Sequence, residues 1–193
     1  DRQLDEAVTL ARVPRDARAF HFGSYAMVVE PVAGAQRALI EREHERGEGG
    51  ALISYDPNIR PTVEPSLAIW RDTLAWMLPR THLLKISEED VGLLFPGAAL
   101  AELATAWLAQ GPRLVVITRG GQGALGFPTS TQVQAAPMQV EVIDTVGAGD
   151  TFQAAMLTWL AEHGRLSIDG VSLLDAAALR DLLAFATRAA AIT

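Results

Sequence analysis

Short apolar runs alternate with helical segments along this chain, and that alternation restricts the fold more than any other feature. Residues 19–22 (AFHF), 51–55 (ALISY), 82–86 (HLLKI) and 113–118 (RLVVIT) each read as a buried strand. Between them, a helical stretch opens at Pro31 and closes near Gly47, and a second runs from about Ser66 to Leu78 with Trp70, Leu74 and Met77 at helical spacing. AALAELATAWLAQ is a third, stopped by Gly111. Ser87 reads as an N-cap followed by Glu88, Glu89 and Asp90, the last two forming a solvated first turn. Strands separated by helices mean βαβ units, and so a mostly parallel sheet with helices on both faces. Residues 120–144 break the pattern with turn-separated strands, which predicts a hairpin or edge excursion, and helices return at 148–163 and 175–193. No internal repeat or low-complexity linker interrupts the 193 residues, of which 49% are hydrophobic, so residues 1–193 read as one α/β domain.

Charge and cysteine content remove several function classes. Sixteen basic residues against 23 acidic give a net charge of −7, which argues against nucleic acid or an anionic membrane as the main partner. The absence of cysteine excludes disulfides, zinc–thiolate sites and thiol catalysis, and is compatible with a reducing compartment. The opening DRQLDEAVTLARVPRD is charged and lacks a signal-peptide apolar region, and no apolar run is long enough to span a bilayer. The expectation is a soluble cytoplasmic protein. The four histidines (21, 44, 82 and 163) show no metal-ligand spacing, and the four tryptophans read as core or helix-face residues.

In open α/β sheets ligands bind beyond the carboxyl ends of the strands. Polar clusters fall there: GSY after the first strand, DPNIR after the second, KISEED after the third, TRGGQG after the fourth and DTVGAGD before the returning helix. In GAGD, Gly147 and Gly149 permit close backbone approach, and the free amides at the start of the next helix form an anion site reinforced by the helix dipole. Asp150 then either stabilises that helix start or serves as the base in phosphoryl transfer to an alcohol, where a proton must be taken and charge held. Asp144 has the bland reading of a turn residue. DPNIR is a good turn sequence, and its Arg60 is placed to meet a phosphate or substrate oxygen. TRGGQG is either a hairpin turn or a phosphate loop, and it is neither a Walker A loop nor a dinucleotide fingerprint.

DTVGAGDTF resembles the C-terminal signature of the PfkB carbohydrate kinases, the ribokinase-like sugar kinases. HFGSYAMVVEP, SYDPNIRP, KISEED and TRGGQGA follow the family's order and look most like the fructokinase subgroup. The resemblance implies ATP-dependent phosphorylation of a small sugar, fructose first, with 2-keto-3-deoxygluconate or a nucleoside as the alternative acceptor and a non-catalytic nucleotide-binding fragment as the rival class. It makes Asp150 the general base against the sugar hydroxyl and the amides of Gly147, Ala148 and Gly149 the anion hole. It sets Asp144 beside a monovalent-cation (K+) site. KISE matches an Asn-x-x-Glu element, so Glu88 would help to position magnesium and phosphate, with Lys85 standing in place of the asparagine. Thr118, Gly120 and Gly123 would lie along the nucleotide phosphates, and Thr187 stands where the family often has an asparagine near the adenine. ATP, Mg2+ and a monovalent cation are thus the implied cofactors and a small sugar the partner, with a homodimer of the full-length protein left open. The family's N-terminal strands, lid and much of its sugar pocket find no counterpart, so the chain reads as a C-terminal fragment. Expressed alone it is expected to be poorly soluble or to self-associate through an uncovered edge and apolar face.

Overall fold

The computed structural model describes residues 6–14, 16–129, 133–134 and 147–192. In chain order its elements are α1 (Glu6–Arg12), β1 (Ala19–Gly23), α2 (Val32–Glu45), β2 (Leu52–Asp56), α3 (Leu67–Met77), β3 (Leu83–Ser87), α4 (Glu88–Leu94), α5 (Leu100–Leu108), β4 (Leu114–Thr118), β5 (Ala124–Pro128), β6 (Val133–Gln134), α6 (Ala148–Glu162), α7 (Ile168–Ser172) and α8 (Ala176–Ala190). The strands form one sheet in the order β1-β2-β3-β4-β5-β6. The first four are parallel; β5 turns back antiparallel on β4 and β6 on β5, the hairpin expected after Thr118. β1 pairs with β2 alone among the described strands.

Side chains alternate between the two faces of each strand, and both faces are covered. Ile53, Tyr55, Leu84, Ile86, Val115 and Ile117 point into a core shared with Leu39 and Ile40 of α2, Trp70, Leu74 and Met77 of α3, and Trp107 of α5. Leu52, Leu83, Leu114 and Val116 point the other way, against Phe152, Met156 and Trp159 of α6 and Leu179, Leu182 and Leu183 of α8. That double burial is why each strand reads as a nearly unbroken apolar run. Three residues break it on the α6 face: Ser54 and Asp56 share the parity of Leu52, and Lys85 that of Leu83. All three are buried.

Two expectations change. A short helix, α7, precedes α8, and its N-cap is Ser167, whose side chain accepts from the Gly170 amide. Asp90 is not solvated: it is 7% exposed, and its Oδ1 accepts the Ile59 amide at 3.2 Å. The Asp90 amide meanwhile donates to Ser87 Oγ at 3.0 Å, so Ser87 is the predicted N-cap. The loop after β2 folds over α4 and needs an acceptor for its Ile59 N–H, which Asp90 supplies; Glu89 does stay exposed.

At the opposite end of the strands, His82 continues the β2–β3 ladder with its side chain. Its amide donates to the Ile53 carbonyl at 2.9 Å, and its Nδ1 accepts the Ile53 amide at 3.0 Å. An imidazolium has no lone pair for that second bond. Burial, then the Arg113 charge, lowers the His82 pKa from 6.5 to about 4. The unfolded chain takes this proton below pH 6.5 and the folded chain only near 4, so the folded state loses stability as pH falls through that window. His82→Asn keeps an acceptor but does not titrate. Wild type is therefore expected to lose more melting temperature than the variant on acidification from neutrality to about pH 4. Parallel pH–melting curves for the two proteins would contradict this.

Candidate active site

Among the described residues, α6 opens without a side-chain cap. Its N-cap is Gly147 in the left-handed region at φ 84°, a conformation glycine adopts at little cost, and its carbonyl accepts the Thr151 amide at 2.8 Å. The amides of the first turn have no acceptor within the helix, and the 15-residue helix adds its dipole at the same end. Asp150 lies in this first turn and is exposed. Gly149 faces Lys85: a Cβ at Gly149 would stand 3.2 Å from Lys85 Nζ. A side chain at position 149 would crowd the ammonium away from the helix opening.

Lys85 reaches that opening from the middle of β3 and is held by Asp56 at the end of β2, Nζ to Oδ2 2.7 Å. The two side chains are 4% and 3% exposed. Burial raises the Asp56 pKa, the Lys85 charge and hydrogen bond oppose that rise, and the Asp150 carboxylate adds to it. The Asn58 amide also favours the charged form, but Asp56 Oδ1 has no hydrogen bond of good geometry among the described residues. Asp56 thus belongs to the strand rather than to a turn; the turn falls at Asn58, with φ 40°.

A second polar chain lies on the same face toward β1. Gln153 of α6 donates through Nε2 to Ser54 Oγ at 2.8 Å, and Ser54 Oγ lies 3.2 Å from Nδ1 of His21, its register partner on β1. Gln153 and Ser54 are buried, whereas His21, on the end strand of the described sheet, is exposed as a residue. Desolvation of the imidazole and then the Lys85 charge lower the His21 pKa to about 4, with the Asp150 carboxylate acting in the opposite sense.

The other flank of the α6 opening is built by β3, α4 and the β4–β5 turn. Thr118 ends β4 opposite Ala124, and the turn is closed by the Arg119 amide donating to the Gly123 carbonyl at 2.8 Å. Gly120 (φ 52°) and Gly123 (φ 81°) take left-handed conformations that the turn requires. Glu88 begins α4 and accepts from Arg119 Nε at 3.2 Å, so the KISE and TRGGQG segments are tied together.

The structure thus gathers Gly147, Ala148, Gly149 and Asp150 with Lys85, and joins Glu88 to the Thr118–Gly123 turn. Two of the predicted residues stay apart. Arg60 is exposed and its Nη1 donates to the neighbouring Ile59 carbonyl. Thr187 turns its hydroxyl onto the Leu183 carbonyl of its own helix at 2.7 Å. Asp144 lies outside the described residues. His21, Ser54, Gln153 and Arg119 were missed from the sequence. The available signal was polar residues at core parity: Ser54 and Lys85 interrupt apolar strands on the face that α6 covers.

Residues 17–193 match the profile described as pfkB family carbohydrate kinase. A fructokinase of Rhizobium leguminosarum bv. trifolii is 35% identical over 177 residues, covering 90% of this chain and 53% of that protein. The fructokinase of Vibrio cholerae O395, crystallised in fructose, ADP and calcium ion bound form, superposes with a TM-score of 0.76 at 26% identity, over 94% of this chain and 56% of that one. A putative ribokinase II from E. coli in complex with ATP and Mg+2 gives a TM-score of 0.72 at 26% identity, over 97% and 54%. The chain spans about half the length of the curated relatives it matches.

Proposed function

The chain belongs to the pfkB family of carbohydrate kinases, and from that premise we propose that the whole protein transfers the γ-phosphoryl group of ATP to a hydroxyl of a small sugar, with fructose as the acceptor. The observation that carries this reading is the exposed carboxylate of Asp150 in the first turn of an uncapped helix whose opening also receives the buried Lys85 ammonium. Phosphoryl transfer needs little covalent chemistry from a protein; it needs positioning, a proton acceptor and fixed positive charge. Asp150 takes the proton of the acceptor hydroxyl as its oxygen attacks the γ-phosphorus in line. The amides of Gly147, Ala148 and Gly149, together with Lys85, hold the charge on the transferred group. Lys85 is held in place by its pairing with Asp56, with both side chains buried.

The Thr118–Gly123 turn lies along the nucleotide phosphates, with Glu88 beside it. Among the described residues no three His, Asp, Glu or Cys side chains gather as a metal site. We assign a magnesium ion to the phosphate oxygens, with Glu88 acting through water; when bound, it would neutralise charge on the phosphates. Asp144 is assigned to a monovalent cation, and Arg60 and Thr187 reach the substrate and adenine only by moving from their present hydrogen bonds. The fructose assignment rests on the named relatives.

The whole protein is expected to gain melting temperature in MgATP by mass action and to gain none in NAD. A panel of free sugars, 2-keto-3-deoxygluconate and nucleosides assayed with MgATP tests the acceptor. Fructose giving the highest kcat/KM supports the reading. NAD binding without ATP binding would overturn it.

A further inference from the structure

We propose that His21 is an acceptor-binding residue, which donates a hydrogen bond from Nε2–H to an oxygen of the sugar beside the hydroxyl that Asp150 deprotonates. This rests on the kinase reading and adds to it a residue and a direction of approach. The sheet order supplies the direction. The Thr118–Gly123 turn and Glu88 lie at the ends of β4 and β3, on one flank of the α6 opening. β1 is on the other flank, beyond β2. In-line transfer sets donor and acceptor on opposite sides of the moving phosphoryl group. With the nucleotide on the β4 flank, the acceptor stands over β1 and β2. On this face of β1 the polar side chain is His21, which is exposed and is joined through Ser54 to Gln153 of α6, the helix whose first turn carries Asp150.

In the proposed arrangement the hydrogen-bond chain beneath His21 runs from Gln153 through the Ser54 hydroxyl to the ring. Gln153 donates to Ser54 Oγ, so the Ser54 hydroxyl has its own proton left to give, and the imidazole Nδ1 at 3.2 Å is the side-chain acceptor placed to take it. Nδ1 is then unprotonated and Nε2 carries the hydrogen, the donor offered to the sugar. Two buried polar side chains, Gln153 and Ser54, stand behind this one imidazole and tie it to the same helix that carries Asp150. Such support from behind is how binding sites hold a donor within the narrow range of angles that recognition needs.

Two measurements test this. Nitrogen-15 spectra of the whole protein, with His21 assigned by its loss in His21→Leu, should show the Nε2–H form at neutral pH; in Ser54→Ala that preference should weaken. In the whole protein, His21→Leu should raise the acceptor KM about 2- to 10-fold, the usual worth of one neutral hydrogen bond, while leaving the ATP KM within about twofold. His21→Asn, which retains a donor, should recover part of the loss. An Nδ1–H imidazole, an unchanged acceptor KM in a folded His21→Leu, or a rise in ATP KM instead, each overturns the role of His21 while the kinase reading stands. If wild type phosphorylates no acceptor, the kinase reading fails first and this inference falls with it. A His21→Leu chain that does not fold leaves the spectrum of the wild type and the kinetics of His21→Asn to decide.

Discussion

Lys85→Met is expected to destabilise the folded chain by about 3–5 kcal/mol near neutral pH, because it leaves Asp56 as an uncompensated buried carboxylate. Methionine matches the length of lysine, so the change isolates the charge. For a chain of this size that loss corresponds to a fall of roughly 6–20 °C in melting temperature. The loss should shrink at lower pH. Burial already raises the Asp56 pKa above 3.8, and without Lys85 it rises further, so the folded variant holds a proton that the unfolded chain releases. Stability of the variant therefore falls as pH rises through that interval, the reverse of the His82 contribution. Adding Asp56→Leu removes the stranded charge, and the double variant should recover most of the stability, since apolar replacement of a whole buried pair is often neutral or better. Turnover should not recover, because the ammonium at the α6 opening is gone in both variants. Urea or thermal melts at two pH values, with steady-state rates on the whole protein, check this. A double variant as unstable as Lys85→Met would mean that the ion pair is held for packing; a double variant with normal turnover would remove Lys85 from the phosphate site.

How much of this was legible in the sequence depends on the distance over which each interaction acts. β4 was readable because RLVVIT is apolar on both faces, and the Ser87 cap because its partner is three residues away. GAGD was readable because a helix start is a local event, written in the two glycines that flank Ala148. The network behind it was not. Lys85 meets a carboxylate 29 positions earlier, and Gln153 reaches a serine 99 positions earlier. In the sequence Asp56 sits in a turn-like DPN and His21 in a short strand with no metal spacing, and neither pattern says which strand will lie alongside. Asp90 misled for the same reason: its position in a helix start is ordinary, and only the fold of the preceding loop supplies the Ile59 amide that draws it inside. Parity carries the transferable signal. A polar residue in a strand that is otherwise apolar on both faces must find a buried partner, and two of them, Ser54 and Lys85, mark the face on which the site is built.

Asp150→Asn is the variant with the largest expected effect on chemistry and a small one on structure. Asparagine keeps the size of aspartate and tolerates a first helical turn, so the α6 opening should keep its form and the protein its fold. The amide cannot accept the proton of an attacking hydroxyl. General-base catalysis contributes about 10²–10⁴-fold, so kcat in the whole protein should fall by that factor, equivalent to roughly 2.7–5.5 kcal/mol of barrier. MgATP should bind as before or slightly more tightly, because a negative charge has left the neighbourhood of the γ-phosphate. Asp56 should also ionise more readily, since Asp150 is one of the charges that now oppose it. If Asp150 served only to complement the dipole at the start of α6, the pattern would be reversed. Stability would fall by about 0.3–1 kcal/mol and turnover would stay near normal. Rate, nucleotide affinity and melting temperature measured on the one variant therefore separate a base from a helix stabiliser. Retention of more than about a tenth of wild-type turnover, outside the range for loss of a general base, would show that the proton goes elsewhere. The uncapped opening of α6 would then hold an anion without activating its acceptor.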